Sequence, residues 1–419
     1  MKNTTRRYTF EQFTAVRLHG PALEFSPDGS EVAYSTNTSG QFNLWRQSSA
    51  GGYPHQLTLY SEQAVRQIAW SPDGKNILYT ADHHGDEFHQ LYLIPARGGQ
   101  LQALTNAPNV QHYLAGQAWS PNGRLIAYCG NDNKPTDMDV LIRDVRTGEV
   151  KRALTGGAFY APAYWSPNGQ HLTVFNLKSN TNTDIYLLSL KDGKARHLTP
   201  HEGEVRYVPG RWAVDGSGFY LLTDEGREFS GIASYNLKAQ KYEWTEIPKG
   251  DVEHLALSKD GRFLAWTVNE DGYSRLYVRN LKTRQLLKLP KIPEGVIGLL
   301  KFSPDGRKLG LFLTRSDRTM DIFVADLTKR KLNQLTYNML GGIDERDLIQ
   351  PKLTRYPTHD GRKIPAFLYK PKSSGKFPVI LSIHGGPEAQ ERPNYGYAGM
   401  YQYWLSRGIG ILAPNTNLQ

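Results

Sequence analysis

One seven-residue pattern occurs seven times in this 419-residue chain and restricts its fold more than any other feature. The clearest copy is Ile68-Ala69-Trp70-Ser71-Pro72-Asp73-Gly74, and the others occupy 23–29, 117–123, 163–169, 210–216, 255–261 and 300–306. Measured on the Asp or Asn before the last glycine (Asp28, Asp73, Asn122, Asn168, Asp215, Asp260, Asp305), the spacings are 45, 49, 46, 47, 45 and 45 residues. Such regularity is a structural period.

The residue types say what each copy does. Proline presets φ for a turn, Asp or Asn accepts hydrogen bonds from the turn's own amides, and glycine takes the left-handed conformation that closes a tight hairpin. The preceding Trp or Phe reads as the last inward residue of a strand. Ala213-Val214-Asp215-Gly216 and Ser258-Lys259-Asp260-Gly261 lack proline, whereas glycine is present in all seven copies.

Between the turns every period has one plan. An apolar strand such as Asn76-Ile77-Leu78-Tyr79-Thr80 comes first, then a second such as Leu91-Tyr92-Leu93-Ile94, then a closing Leu-Thr at 57–58, 104–105, 154–155, 198–199 or 335–336. Four short strands in about 45 residues are the signature of a propeller blade. Helical solenoids repeat at similar lengths, but period-two alternation and Gly-rich turns leave no room for paired helices. The expected fold is an all-β, seven-bladed β-propeller over residues 21–340. Residues 1–20 form a lead-in, with a short helix expected from Tyr8 to Leu18 that docks through Phe10, Phe13 and Leu18.

Composition agrees: aromatic residues make up 11%, with 40 glycines and 24 prolines, which suits short strands and turns. The net charge of +10 is scattered without a basic run, so no nucleic-acid partner is expected. Cys129 is the single cysteine and sits in the apolar run 125–129, as a buried strand residue would. No segment has signal-peptide character or the roughly 18 apolar residues of a membrane span. A cytoplasmic protein without membrane partner or cofactor is expected; oligomeric state is left open. His83, His84, Asp86, Glu87 and His89 have metal-capable side chains in one loop but no recognised ligand spacing, so no metal site is assigned. His201-Glu202-Gly203-Glu204 reads as a solvated loop.

The pattern stops near Gly341, and a second domain is expected over 350–419. Residues 352–371 read as a hairpin turning at Asp360-Gly361, outside the register of the blades. Phe377 to Ile383 is a continuous apolar strand, the mark of a strand buried on both faces, and it runs into His384-Gly385-Gly386-Pro387. A helix over Tyr397–Arg407, stopped by Gly408, and a strand Gly410–Pro414 complete a strand, loop, helix, strand unit. A Gly-Gly loop after such a strand turns backbone amides into a cleft, so 384–387 are the candidate oxyanion-hole residues.

With these segments in order, the chain resembles the prolyl oligopeptidase family of serine peptidases, in particular its acylaminoacyl-peptidase-like and dipeptidyl-peptidase-like members. The resemblance covers residues 10–415 and rests on the repeats, His359-Asp360-Gly361, Ile364-Pro365-Ala366, Tyr369-Lys370-Pro371, residues 378–387 and Ala413-Pro414-Asn415. The repeats alone are shared with noncatalytic TolB-like propellers, which bind partners; the segments from His359 onward discriminate. The resemblance implies hydrolysis of short peptides, with a serine in a Gly-x-Ser-x-Gly elbow followed by Asp and His. No Gly-x-Ser-x-Gly occurs in the 419 residues, so no catalytic residue is assigned. Ser382 and His384, two apart on one strand end, do not substitute. The chain is expected to be an incomplete α/β-hydrolase behind a propeller, inactive as it stands, with residues 372–419 poorly ordered on their own.

Overall fold

The computed structural model describes residues 8–386 and 389–415. Nearly all regular structure is β, in eight sheets of three or four strands. The first sheet contains β1 (His19–Phe25), β2 (Glu31–Thr36), β3 (Asn43–Ser48) and β4 (His55–Gln56), antiparallel and in chain order. Six further antiparallel sheets follow, up to residue 334, with their first pairs joined at the repeated turns. One of the seven has three strands, and another has four with an unusually short inner one. The three-stranded sheet is the sixth, where among the described residues a single bridge, Arg279 to Leu286, stands in place of a fourth strand. In the third, whose period is the longest, the inner strand is cut to His112–Tyr113. There Gly116 comes so near the fourth sheet that a β-carbon on it would lie 2.0 Å from the Ala163 carbonyl oxygen, while the Gln117 amide donates to that oxygen at 2.6 Å.

The repeated turns are alike in atomic detail. The glycine amide donates to the carbonyl three residues earlier at 2.8–3.0 Å, and all seven glycines have φ between +68° and +74°, the region that costs other residues strain. The Asp or Asn oxygen accepts from the amide two residues on, at 3.0 Å from Ser30, Lys75 and Arg124. The serine before the proline also works: Ser71 Oγ donates to Asp73 at 2.6 Å and accepts from the Asn76 amide at 2.9 Å.

Neighbouring turns touch. Gly74 lies against Pro27, Gly123 against Pro72, Gly169 against Pro121 and Gly216 against Pro167. Where proline is missing, Val214 and Ser258 meet Gly261 and Gly306, and Pro304 meets Gly29. Three of the tryptophans before the turns tie their sheet to the one before it: the indole N–H of Trp119 donates to Ala69, that of Trp165 to Ala118 and that of Trp212 to Tyr164, at 2.9–3.3 Å, whereas that of Trp70 donates to Gly74 of its own turn at 3.2 Å. Apolar layers fill the space between sheets. Ala33 and Leu44 of the first pack on Val65, Ile68, Trp70 and Ile77 of the second, and Leu23, Phe25 and Tyr34 pack on Phe312, Ile322 and Val324 of the seventh. Central strands are therefore covered on both faces; Val32 to Thr36 are all buried despite their alternating sequence.

The threonines of four Leu-Thr pairs, Thr58, Thr105, Thr199 and Thr336, are latches. Thr58 Oγ1 accepts from the Leu44 amide and donates to Asn43, both at 2.9 Å; Thr336 repeats this with the Ile322 amide and Asp321.

The eighth sheet combines β5 (Lys352–Pro357), β6 (Lys363–Tyr369), β7 (Val379–Leu381) and β8 (Gly410–Pro414) in the order β5-β6-β8-β7, with β7 and β8 parallel. The apolar strand expected from Phe377 to Ile383 is three residues long, and Val379, Leu381 and Ile383 are at least half exposed. It is an edge strand here, so the expectation of burial on both faces fails. The helix is also shorter than expected, Met400–Ser406, because Gly399 at φ +89° and the left-handed Tyr397 and Ala398 break the preceding turn. The lead-in helix is Phe10–Thr14. Its Phe13, with Tyr8 and Val16, packs on Leu340, Ile343, Leu348 and Tyr395, whereas Phe10 and Leu18 remain about 40% exposed.

Candidate functional site

The strand β7 delivers the loop His384 to Gly386, and β8 fixes its start through a bond from the Ser382 amide to the Leu412 carbonyl at 2.9 Å. Gly385 and Gly386 are exposed, with nothing within 4 Å of a β-carbon built on Gly385. Their amides donate to no acceptor among the described residues, whereas the Gly386 carbonyl closes a turn with the Ala389 amide at 2.9 Å. Pro387, the fourth expected member, lies outside the described residues.

Under this loop is a buried polar group that the sequence did not single out. Tyr401 Oη donates to Ser382 Oγ at 2.6 Å, and the Glu391 amide donates to Asn415 Oδ1 at 2.7 Å. Burial pushes the Glu391 carboxyl and the Tyr401 phenol above their ordinary ranges; His384 works against that shift at Glu391. The Tyr369 hydroxyl, His384 Nε2 and Asn415 Nδ2 are buried without a hydrogen-bond partner among the described residues. Among the described residues the side-chain partner of Ser382 Oγ is this Tyr401 phenol, and no base is hydrogen-bonded to it.

The loop is anchored to the propeller-like part. Arg392 pairs with Glu253, and it donates to the Gly272 carbonyl at 2.6 Å and to Ser274 Oγ at 3.1 Å. Gln402, 3% exposed, donates to the Ser316 and Ile349 carbonyls at 2.8 Å. Gly272 and Ser316 lie in loops joining second to third strands, at the ends opposite the repeated turns. The eighth sheet thus caps the end of the seven sheets away from the ring of turns. Along the axis, the first strands of six sheets and residues 114–118, which follow the short inner strand of the third, line one cavity of about 720 Å³, and Pro27, Pro72, Pro121 and Pro167 lie at its turn-side mouth.

The metal-capable loop comes apart. Glu62, His83 and His84 bring ligand atoms within 4.8 Å of one another, all exposed, whereas Asp86 is spent on the His83 and Phe88 amides and His89 is buried beside Asp82. Glu204 accepts from Thr181 at 2.6 Å and Ser179 at 3.1 Å, and His201 packs beside buried Asp184.

No protein-family model matches the chain. Dipeptidyl aminopeptidase BIII of Pseudoxanthomonas mexicana is 22% identical over 410 residues, covering 94% of this chain and 58% of that protein. The uncharacterized peptidase YuxL of Bacillus subtilis is 23% identical over 480 residues, covering 94% and 68%. A solved prolyl endopeptidase superposes with a TM-score of 0.78 at 16% identity, covering 98% of this chain and 62% of that one. In sequence the chain is similar to dipeptidyl and other peptidases, and in fold it is similar to prolyl oligopeptidases. Its nearly all-β structure matches the propeller part of prolyl oligopeptidases, and it spans 58–68% of the length of these relatives. No helix among the described residues is long and apolar enough to cross a membrane. Within the family reading, sequence reasoning missed Arg392 and Glu253, which carry no motif and reveal themselves only when the two parts meet.

Proposed function

We propose that the seven sheets are the blades of a seven-bladed propeller over residues 21–340, and that residues from 350 onward open the α/β-hydrolase domain of a cytoplasmic serine peptidase acting on short peptides. The observation that carries this reading is the parallel pair Val379–Leu381 and Gly410–Pro414, ending in a Gly-Gly loop whose amides donate to no acceptor among the described residues. In that peptidase a serine attacks the peptide carbonyl and a histidine moves the proton. The amides at Gly385 and Gly386 help hold the oxyanion, a role in which removing one donor costs about 3 kcal/mol of barrier lowering. The ring of blades limits entry to short peptides. The 419 residues contain no nucleophile elbow, so they do not hydrolyse peptides by themselves.

A fluorophosphonate probe tests both halves. The purified 419-residue chain is expected to remain unlabelled, and the longest natural product of its gene to be labelled at one serine and to cleave short peptides. Covalent attachment to a serine within these 419 residues would overturn the assignment, as would a gene none of whose products is labelled.

A further inference from the structure

The central cavity contains a cation with no acceptor among the described residues. Arg211, on the inner strand of the fifth sheet, lines the cavity half-buried, and its guanidinium makes no hydrogen bond or ion pair among the described residues. It lies over the Tyr164 ring of the fourth sheet, 5.8 Å from the centroid. Such stacking occupies one face of the guanidinium and leaves the in-plane N–H donors, which match a carboxylate two at a time. The acid among the cavity residues, Glu24, is already held by Lys301 from the seventh sheet. Lys259 stands exposed at the rim. Three cations against one carboxylate leave the cavity at +2, and burial pulls the His254 imidazole below its ordinary range, so it is neutral at pH 7.

We propose that this cavity binds the free α-carboxylate of a short peptide at Arg211. Its 720 Å³ lies in the range of small-ligand sites. The rest of the lining suits a peptide better than a bare anion: Gln67 and Gln117 offer side-chain amides, while Leu114 and Leu299 offer apolar surface. A phosphate would need several donors converging on one point, and here one guanidinium faces a mixed wall. The choice of a peptide rests on the peptidase reading, but the contact with Arg211 is an equilibrium property of these 419 residues and involves no catalytic step.

The test is calorimetric titration of the 419-residue chain with N-acetyl-trialanine, with its C-terminal amide and with inorganic phosphate. The acid is expected to bind at least about tenfold more tightly than the amide, and phosphate not to compete, since the carboxylate is the group a paired fork recognises. Arg211→Gln is expected to erase the difference between acid and amide, and Arg211→Lys to keep part of it, with thermal melts confirming that both variants fold. Equal binding of acid and amide, unchanged binding by Arg211→Gln, no binding of the acid at all, or phosphate binding as tightly as the peptide would each overturn the proposal. If Arg211→Gln does not fold, the comparison of acid with amide on the unmodified chain and the Arg211→Lys result decide. Fluorophosphonate labelling is independent of all of these, so the binding site and the peptidase reading fail separately.

Discussion

Gly29 of the first sheet lies against Pro304 of the last, where a β-carbon on the glycine would stand 3.4 Å from the proline Cδ. The same contact joins Gly74 to Pro27 within the series, so the junction between chain-distant sheets is built like those between consecutive ones. No strand is exchanged across it: the first sheet holds only residues 19–56 and the seventh only residues 296–334. Side chains alone hold the junction. Lys301 pairs with Glu24, Lys308 Nζ donates to Ser49 Oγ at 2.9 Å, and Gln47 Nε2 donates to the Leu335 carbonyl at 3.1 Å.

Gln47 is the most sensitive of these. It is 1% exposed, and its Oε1 also accepts from Tyr34 Oη at 2.6 Å. Gln47→Ala leaves a buried phenol and a carbonyl without partners, which costs about 1–3 kcal/mol for each group left unsatisfied. Urea unfolding should show that loss, and hydrogen exchange should show the first and seventh sheets opening before the third and fourth. Uniform exchange across all sheets would refute a weak point at the junction.

The tryptophan series predicts a graded effect. Trp165 is 2% exposed and donates to Ala118 at 3.3 Å, whereas Phe25 and Phe302 occupy the same place in their sheets without an N–H. Trp165→Phe keeps most of the apolar contact and loses one hydrogen bond, worth about 1 kcal/mol. Trp165→Ala removes the ring as well and should cost about 3–5 kcal/mol. Equal losses in the two variants, read from denaturant midpoints, would mean that the N–H is the whole effect.

Asp321 predicts a pH dependence. Burial raises its carboxyl to about 6, although Thr336 and the Asn338 amide donate to it. The fold therefore favours the protonated acid, and the folded state holds more protons than the unfolded one between about pH 4 and 6. Stability falls as pH rises through that window, by at most about 3 kcal/mol. Asn43 takes the same bonds from Thr58 and the Tyr60 amide in the first sheet, so Asp321→Asn is expected to fold and to flatten this part of the profile. An unchanged slope of Tm against pH between 4 and 6 in that variant would assign the dependence to another group.

The sheets and their turns were legible because each turn is local: Ser, Pro, Asp and Gly act within five residues, and the glycine φ follows from their order. The latch role of Thr58 and Thr336 was half legible, since the Leu-Thr pairs recur but their partners lie 14 or 15 residues away. Burial at β7 was misread. A continuous apolar run reports what a strand is suited to, and Val379 and Leu381 have no covering layer among the described residues. Of the candidate site, the Gly-Gly loop was visible as a motif, whereas Arg392, Glu253 and Gln402 were not, because nothing local distinguishes an anchoring side chain from a solvated one.

Arg392 supplies the last prediction. Its pairing with Glu253 is partly buried, each side chain being 16% exposed, and its two further bonds reach Gly272 and Ser274 in the sixth sheet. Removing one partner of such a pair leaves the other charge poorly solvated, so the loss exceeds the 0–1 kcal/mol of an exposed ion pair. Arg392→Ala should loosen the segment after β7 without unfolding the seven sheets. Limited proteolysis should then cut between residues 389 and 415 at least several times faster, while the main thermal transition moves little. Arg392→Lys, which keeps the charge and loses the fork, should fall between. If the segment is cut no faster in Arg392→Ala, the docking rests instead on Gln402 and the lead-in cluster around Phe13, and the double variant with Gln402→Ala would show it.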